Sequence, residues 1–247
     1  MTYILGIKLI LGEQDTMLKN NKILSIIPAR GGSKGIKRKN IKSLAGNPLI
    51  TYTIEASLKS NIIDRTIVST EDEEIAKIAG KYGAEVIKRP KELAEDKTHT
   101  IDVVLHVLDL LNKRGCNFDI IILLQPTSPL RTIKDIRDAL ETFLENDCES
   151  VVSVCKKKNI FWSFEVANGY LKPICDRDFL KKRRQDLNYI YAPNGAIYIS
   201  TPQNLRKYRS FYPSKIIPYV MPVERSIDID NEIDFMLAEL LLKNIKR

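Results

Sequence analysis

The sequence predicts an α/β fold, a doubly wound, mostly parallel sheet with helices on both faces. Three observations carry this expectation. Short apolar runs alternate with stretches of helical periodicity from residue 23 onward. Residues 120–124 are five consecutive aliphatics between Asp119 and Gln125, as a strand covered on both faces requires. The connections are short, which suits parallel strands joined by helical crossovers.

The elements follow in order. Residues 1–22 read differently from the rest and are expected to form a poorly packed extension, with Met17 as the natural start. The apolar stretch 3–11 is interrupted by Lys8 and has no cleavage site, so it makes a poor signal peptide. Residues 23–28 form the first strand, followed by a glycine-rich turn. Asn47 as cap and Pro48 at the first helical position open a helix carrying Ile50, Ile54 and Leu58. A second strand spans 66–70. The next helix carries Ile75, Ile78, Ala79 and Tyr82 and stops at Gly83, and a helix over 101–114 stops at Gly115 in the same way. Thr132 with Asp135 reads as a capping box before Ile136, Leu140 and Phe143. Strands at 151–154 and 196–199 and a terminal helix from about 231 complete the pattern. The stretch 156–191 breaks the rhythm, with Trp162, Phe164 and two basic clusters, and reads as an insertion within one domain spanning 23–247.

Composition narrows the chemistry. The 247 residues include 39 Lys+Arg against 31 Asp+Glu, a formal charge of +8, with 44% hydrophobic residues. This is ordinary globular composition and excludes collagen, coiled coil and disorder. No apolar run approaches the roughly 18 residues of a membrane-spanning helix. Four cysteines without a CxxC pair argue against zinc and against a disulfide framework, and a cytoplasmic setting is expected. Only two histidines, His99 and His106, are present, so carboxylates, lysines and arginines carry any catalysis. The positive surplus suits nucleic acid, an anionic membrane surface or a small polyphosphate. Tyrosines scattered through the chain, rather than interleaved with basic residues, speak against nucleic acid.

Four constellations stand where a doubly wound sheet binds ligands, beyond the carboxyl ends of its strands. The first is Ala29-Arg30-Gly31-Gly32-Ser33-Lys34-Gly35, continuing to Lys39 and Asn40. Three of eleven glycines fall within five residues here. Their backbone N–H groups can approach an anion, while Arg30, Lys34 and Lys39 neutralise a triphosphate. The segment matches neither GxxxxGK[ST] nor GxGxxG; a basic surface turn is the plain alternative. The second is Ser226-Ile227-Asp228-Ile229-Asp230. Extended backbone puts Asp228 and Asp230 on one side, suiting Mg²⁺ with phosphate oxygens. The alternative is that these acids favour the following helix, with Asn231 as cap and Asp234 at its third position. In the third, Pro126 and Pro129 fix a loop that holds Gln125, Thr127 and Ser128 at the ligand edge, or the loop is a plain connection capped by Thr132. In the fourth, Pro193-Asn194-Gly195, the Asn194 amide is offered to a sugar or the segment is only a turn. His99 and His106 read as surface or packing residues, as does Trp162.

The order IIPARGGSKGIKRKN, VSTEDEEIA, KRPKELA, LLQPTSPLR, PNGAIYI and SIDID resembles the CMP-sialic acid synthetases, the N-acylneuraminate cytidylyltransferases. The resemblance implies a Rossmann-like nucleotidyltransferase fold, and a homodimer in which a protruding segment, here 156–191, reaches the partner's site. It implies that Arg30, Lys34 and Lys39 hold the triphosphate and that Asn40, Arg89, Thr100 and Gln125 contact nucleotide and sugar. Asp228 and Asp230 become the carboxylates for Mg²⁺ or Mn²⁺, with Asp230 catalytic, and Arg184 lies near the sugar acid. The implied substrates are CTP and a nine-carbon nonulosonic acid, the products a CMP-sugar and pyrophosphate, with no nucleic acid or membrane involved. Ala192, where arginine is frequent, and Trp162, in place of a polar residue, depart from sialate-specific members. An apolar Trp162 favours a sugar with a deoxy or methyl end, so legionaminic acid stands beside N-acetylneuraminate, with pseudaminic acid third. A non-catalytic binder on the same fold would be marked by loss of Arg30, Lys39 or the aspartates, and all are present.

Overall fold

The computed structural model describes residues 21–157 and 160–245. The expectation of a poorly packed extension lies, for residues 1–20, outside the described residues. Lys22 is already tied in, its N–H donating to Asp119.

In chain order the elements are β1 (Ile23–Pro28), the short hairpin strands β2 (Ser43–Leu44) and β3 (Asn47–Pro48), α1 (Leu49–Leu58), β4 (Arg65–Thr70), α2 (Glu73–Lys81) and β5 (Glu85–Lys88). Then come α3 (Thr100–Lys113), β6 (Ile120–Leu123), α4 (Ile133–Glu145), β7 (Ser150–Lys157), and the hairpin β8 (Phe164–Ala167) and β9 (Tyr170–Pro173). The chain continues as β10 (Ile190–Ser200), α5 (Pro202–Tyr208), β11 (Ile216–Val220) and α6 (Glu232–Ile245).

Seven strands form one sheet in the order β11-β7-β10-β6-β1-β4-β5. β1 pairs in parallel with β4 and β6, β4 with β5, and β7 with β11. Only β10 runs against its neighbours, β6 and β7. From β1 the chain builds outward to β4 and β5, then returns to lay β6 on the other side. The order therefore reverses between β1 and β6, and a crevice opens at the carboxyl ends of these two strands.

Side-chain alternation along the strands sorts the core into two layers. Ile23, Ile27, Ile120 and Ile122 face α1, α2 and α4, whereas Leu24, Ile26, Ile121 and Leu123 face α3 and α5. A third cluster lies below the glycine-rich turn. There Ile36, Leu44, Leu49 and Ile229 pack against Phe235, Ala238 and Leu242 of α6. Burying a side chain of this size contributes about 2 kcal/mol, so this cluster fixes both the turn and the segment leading into α6.

The helix ends follow local chemistry. Asp72 caps α2 by accepting from the N–H groups of Glu74 and Ile75, and Thr132 with Asp135 forms the full capping box of α4. Gly83 and Gly115 end their helices at φ of 91° and 72°. The expected opening of α1 shifts. Asn47 pairs with Leu44 in a hairpin, and Pro48 is the cap rather than the first helical residue. Among the elements not foreseen, β5 and β11 are short edge strands.

One buried carboxylate ties the outer half of the sheet to the chain approaching the crevice. Asp135 is fully buried. It accepts a bidentate pair from Arg225, at 3.0 and 2.8 Å, and further bonds from Tyr219 Oη and from the Thr132 N–H and hydroxyl. Burial alone would raise its pKa, but the hydrogen bonds from Arg225 and Thr132 outweigh it and hold the carboxyl below its ordinary value. A depressed folded-state pKa stabilises above the unfolded value and loses that effect as pH falls through the folded one. Arg225→Ala, which leaves Asp135 buried without its counter-charge, should lower unfolding free energy by about 3 kcal/mol at pH 7. The gap from wild type should narrow below about pH 4. Urea unfolding at a series of pH values measures this, and a gap that stays constant into acid would contradict the assignment.

Candidate active site

The crevice between the ends of β1 and β6 is a cavity of about 470 Å³. Arg30, Ser33, Lys34, Lys39 and Asn40 enter from the turn after β1, and Gln125 and Thr127 from the segment after β6. Asp228 and Asp230 enter from the segment before α6. Arg89 and Thr100 close the side formed by the end of β5 and the start of α3. The cap of α3, His99, makes no side-chain capping hydrogen bond among the described residues. A helix N-terminus without a side-chain acceptor adds positive potential to an anion site.

The turn is shaped by two close approaches. A Cβ on Gly35 would lie 2.1 Å from the Asp230 carbonyl oxygen, so only glycine lets these backbones touch. A Cβ on Gly31 would lie 2.5 Å from Asp72 Oδ2. Asn40 is buried and donates to the Arg30 carbonyl, which fixes the turn from inside. The Gly31 N–H donates to Glu71 Oε1 at 2.7 Å, and the other carboxylate oxygen of Glu71 accepts from Arg89 Nε at 3.0 Å. Arg89 is nearly buried, and burial lowers its pKa against the opposing charge of Glu71. Arg30 Nη1 and Lys34 Nζ are both paired with Asp96, at 2.7 and 2.8 Å. Neither Glu71 nor Asp96 was singled out from the sequence, because each sits beside other acids and nothing local says which of them will meet Arg30, Gly31, Lys34 and Arg89.

The aspartate segment matches the expected alternation. Ile229 is fully buried in the third cluster with Ile227 against it, while Asp228 and Asp230 line the crevice. The cap named in the alternative reading is also present, at Asn231 and Asp234. Asn231 Oδ1 accepts from the N–H groups of Ile233 and Asp234, and Asp234 returns bonds from the N–H groups of Asp230 and Asn231. The segment is joined to both loops, since the Ile229 N–H donates to the Thr127 carbonyl at 2.8 Å and Lys39 Nζ donates to the Ile229 carbonyl at 2.5 Å. Lys39 also lies 3.4 Å from Asp230 Oδ1. Burial raises the Asp228 pKa, opposed by a hydrogen bond with Thr127 and reinforced by the charge of Asp230. Its Oδ1 is buried and has no hydrogen-bond partner among the described residues.

Other sequence-predicted residues fall elsewhere. Ala29 is a core residue whose N–H pairs with Ser69. Gly32 lines an adjoining recess rather than the crevice. Ser128 is fully buried, its hydroxyl donating to the Asn194 carbonyl. Asn194 is 3% exposed, and its amide faces inward. Its oxygen accepts from Ser153 Oγ and its nitrogen donates to Ser226 Oγ, so it joins β7 and β10 to the aspartate segment instead of meeting a sugar. Arg184 lines a separate cavity beside Trp162, Lys156 and Lys157. Trp162 donates its indole N–H to the Phe179 carbonyl, within the same excursion between β7 and β10. His106 does not line the crevice, and His99 lines a further cavity of about 610 Å³ that shares Thr100 and Gln125 with it. Tyr198, Phe211 and Tyr212 give this neighbour an aromatic wall. Sequence reading missed it because its rings come from β10 and from the loop after α5, which no motif connects.

A model of the cytidylyltransferase family matches residues 24–239. The N-acylneuraminate cytidylyltransferase of Escherichia coli O18:K1:H7 is 37% identical over 220 residues, covering 88% of this chain and 51% of the relative. This chain thus spans about half the length of that relative. The CMP-N,N'-diacetyllegionaminic acid synthase of Legionella pneumophila is 38% identical over 227 residues, covering 90% of this chain and 97% of the relative. Among solved structures, a CMP:2-keto-3-deoxy-manno-octonic acid synthetase complexed with CTP has a TM-score of 0.66 at 17% identity. It covers 91% of this chain and 99% of its own, a likeness of fold alone. With the Rossmann-like sheet, the crevice at its switch point and a family match over most of its length, this chain belongs to the cytidylyltransferase family.

Proposed function

We propose that the chain activates a nonulosonic acid with CTP, giving a CMP-sugar and pyrophosphate. The observation that carries this reading is the meeting of Arg30, Lys34 and Lys39 with Asp228 and Asp230 in one crevice, beside an aromatic-walled cavity. In the reaction, an anomeric hydroxyl oxygen attacks the α-phosphorus of CTP. A new P–O bond forms, the bond to the β-phosphate oxygen breaks, and the hydroxyl proton passes to solvent. Negative charge grows on the departing pyrophosphate, so fixed cations lower the barrier more than they stabilise the substrate. Arg30 and Lys34 receive that charge, and Lys39, held by the Ile229 carbonyl, meets the phosphates from below. The sugar occupies the neighbouring cavity, where Gln125 and Thr100 face both substrates. The polar crevice suits phosphates, and the rings of Tyr198 and Phe211 suit an acyl or methyl substituent. The similarity to both sialate and legionaminate enzymes supports the substrate class and leaves both sugars as candidates.

The donor set suits Mg²⁺, with Mn²⁺ as the alternative. Asp228 presents a buried carboxylate oxygen without a partner, and Asp230 presents an exposed carboxylate on the same side. Mg²⁺ takes one or two carboxylates together with phosphate oxygens and water. When bound there, it supplies charge neutralisation on the phosphates and acidifies the attacking hydroxyl.

A homodimer is part of the proposal. The excursion between β7 and β10 exposes Val166, Tyr170, Leu171 and Ile174, an apolar surface of the kind that marks a partner contact. Arg184 sits apart from the crevice of its own chain, which suits a role at a partner's site.

Three outcomes test this reading. Arg30→Ala should lower turnover at least about 100-fold while the protein stays folded; near-wild-type rates would overturn the phosphate assignment. Asp228→Asn and Asp230→Asn should each weaken Mg²⁺ binding, read as a smaller Mg²⁺-dependent thermal shift with CTP present, with activity partly restored at higher Mg²⁺. Unchanged metal dependence in both would remove the metal role. Sedimentation should give a dimer at micromolar concentration, dissociated by Leu171→Glu, and a fully active monomer would end the shared-site proposal.

A further inference from the structure

Arg30 and Lys34, the two cations assigned to the departing phosphates, already hold an anion belonging to the chain itself. Asp96 Oδ1 lies 2.7 Å from Arg30 Nη1, and Asp96 Oδ2 lies 2.8 Å from Lys34 Nζ. Two oxygens of one carboxylate thus bridge the two cations, as two oxygens of one phosphate group would. We infer that Asp96 is an internal competitor for the phosphate seat, displaced when the triphosphate binds and returning as pyrophosphate leaves.

The surroundings of Asp96 suit a group that moves. It lies between the short turn Lys91–Ala94 and α3, in a segment held by Thr98, whose N–H donates to the Glu95 carbonyl and whose hydroxyl donates to the Glu92 carbonyl. The carboxylate is about half exposed, so leaving Arg30 returns it to water without a burial cost. The Arg30–Asp96 contact also stands between the crevice and the recess that Gly32 lines, because Arg30, Glu95 and Asp96 border both. Moving Asp96 aside joins the two spaces and makes room for a longer phosphate chain. Arg38 differs, since its partners Asp72 and Glu74 lie outside the crevice.

This gives Asp96 a definite task within the proposed reaction, on which the inference rests. Cations strong enough to stabilise a leaving pyrophosphate also retain it. A tethered carboxylate weakens that retention at every turnover, and being part of the chain it is always at hand. Asp96 is therefore an affinity-setting residue, and its removal should tighten phosphate binding.

The test uses inorganic pyrophosphate as the probe, without metal or CTP, titrated by calorimetry into wild-type protein, Asp96→Asn and Glu95→Gln. Glu95 is an acid beside it that pairs with Lys97 instead. Asp96→Asn should bind pyrophosphate about five-fold more tightly than wild type, consistent with the loss of two partly exposed ion pairs, and with a steeper dependence on salt. Glu95→Gln should change affinity less than about two-fold. Asp96→Ser, measured alongside, carries the same comparison if Asn disturbs folding, which circular dichroism reports. Equal or weaker binding by the Asp96 variants overturns the inference alone. Equal tightening by Glu95→Gln also overturns it, in favour of the general field of the crevice. If neither wild type nor variant binds pyrophosphate, the phosphate reading of the turn falls and the inference with it.

Discussion

The site depends on a contact between two backbones almost two hundred residues apart. Gly35 lies so close to the carbonyl of Asp230 that any Cβ would overlap it, and Lys39 binds the carbonyl of the preceding residue, Ile229. Ile229 in turn is anchored through its N–H to Thr127 and through its side chain to the third hydrophobic cluster. Cations from one end of the chain and carboxylates from the other are therefore registered by backbone atoms and buried aliphatics. Mutual attraction alone would collapse them into ion pairs. The 3.4 Å separation of Lys39 and Asp230 is a loose contact, whereas the hydrogen bonds that fix both segments run to carbonyls. Such anchoring holds Lys39 in place without a close carboxylate partner.

A second constraint holds the walls. Arg131 is buried, and its guanidinium donates to the carbonyls of Ala196 and Gln125 and to the hydroxyl of Thr53. Burial pushes its pKa down to about 9, opposed by the charge of Asp135, so it stays charged at neutral pH. It crosses from the segment after β6 to the antiparallel strand β10 and to α1. The planar fork of arginine suits such a junction better than a lysine point charge. Asn194 performs the matching task from the other side, joining Ser153 and Ser226. β10 breaks the parallel rhythm, and these two residues tie its reversed strand to the ligand edge.

The parts legible in the sequence were those written in local chemistry. Gly83, Gly115 and the Thr132–Asp135 box end or start helices through atoms within a few residues, so spacing alone revealed them. The switch-point cleft followed from the glycine-rich turn after the first strand, and alternation in 226–230 assigned both aspartates to one side. What was not legible depends on distant partners. Ser128 and Asn194 stand near the ligand edge, but the sequence does not say that Ser153, Ser226 and the Asn194 carbonyl would claim them from inside. The reversed direction of β10 was hidden because the long excursion after β7 replaces a helical crossover. Pro48 was misplaced by one position because the two-residue turn at Ala45 and Gly46 makes a hairpin, a feature too short for periodicity to register.

The two cavities divide the chemistry in a way that the sheet imposes. Strands β1 and β6 end beneath the crevice, where Arg30, Lys34, Lys39 and Arg89 meet the carboxylates of Glu95, Asp96, Asp228 and Asp230. Beside it, β10 runs in the opposite sense, so it is a mid-strand residue, Tyr198, and not a loop after a carboxyl end, that faces the ligand side of β6. A residue in mid-strand is packed and rigid. Burial holds the Tyr198 phenol well above its usual pKa, so it stays neutral and serves as an aromatic surface. Charged side chains thereby line one compartment and aromatic rings wall the other, with Gln125 on the boundary between them. The antiparallel strand is what gives the crevice a neighbour of unlike character, so that the two halves differ.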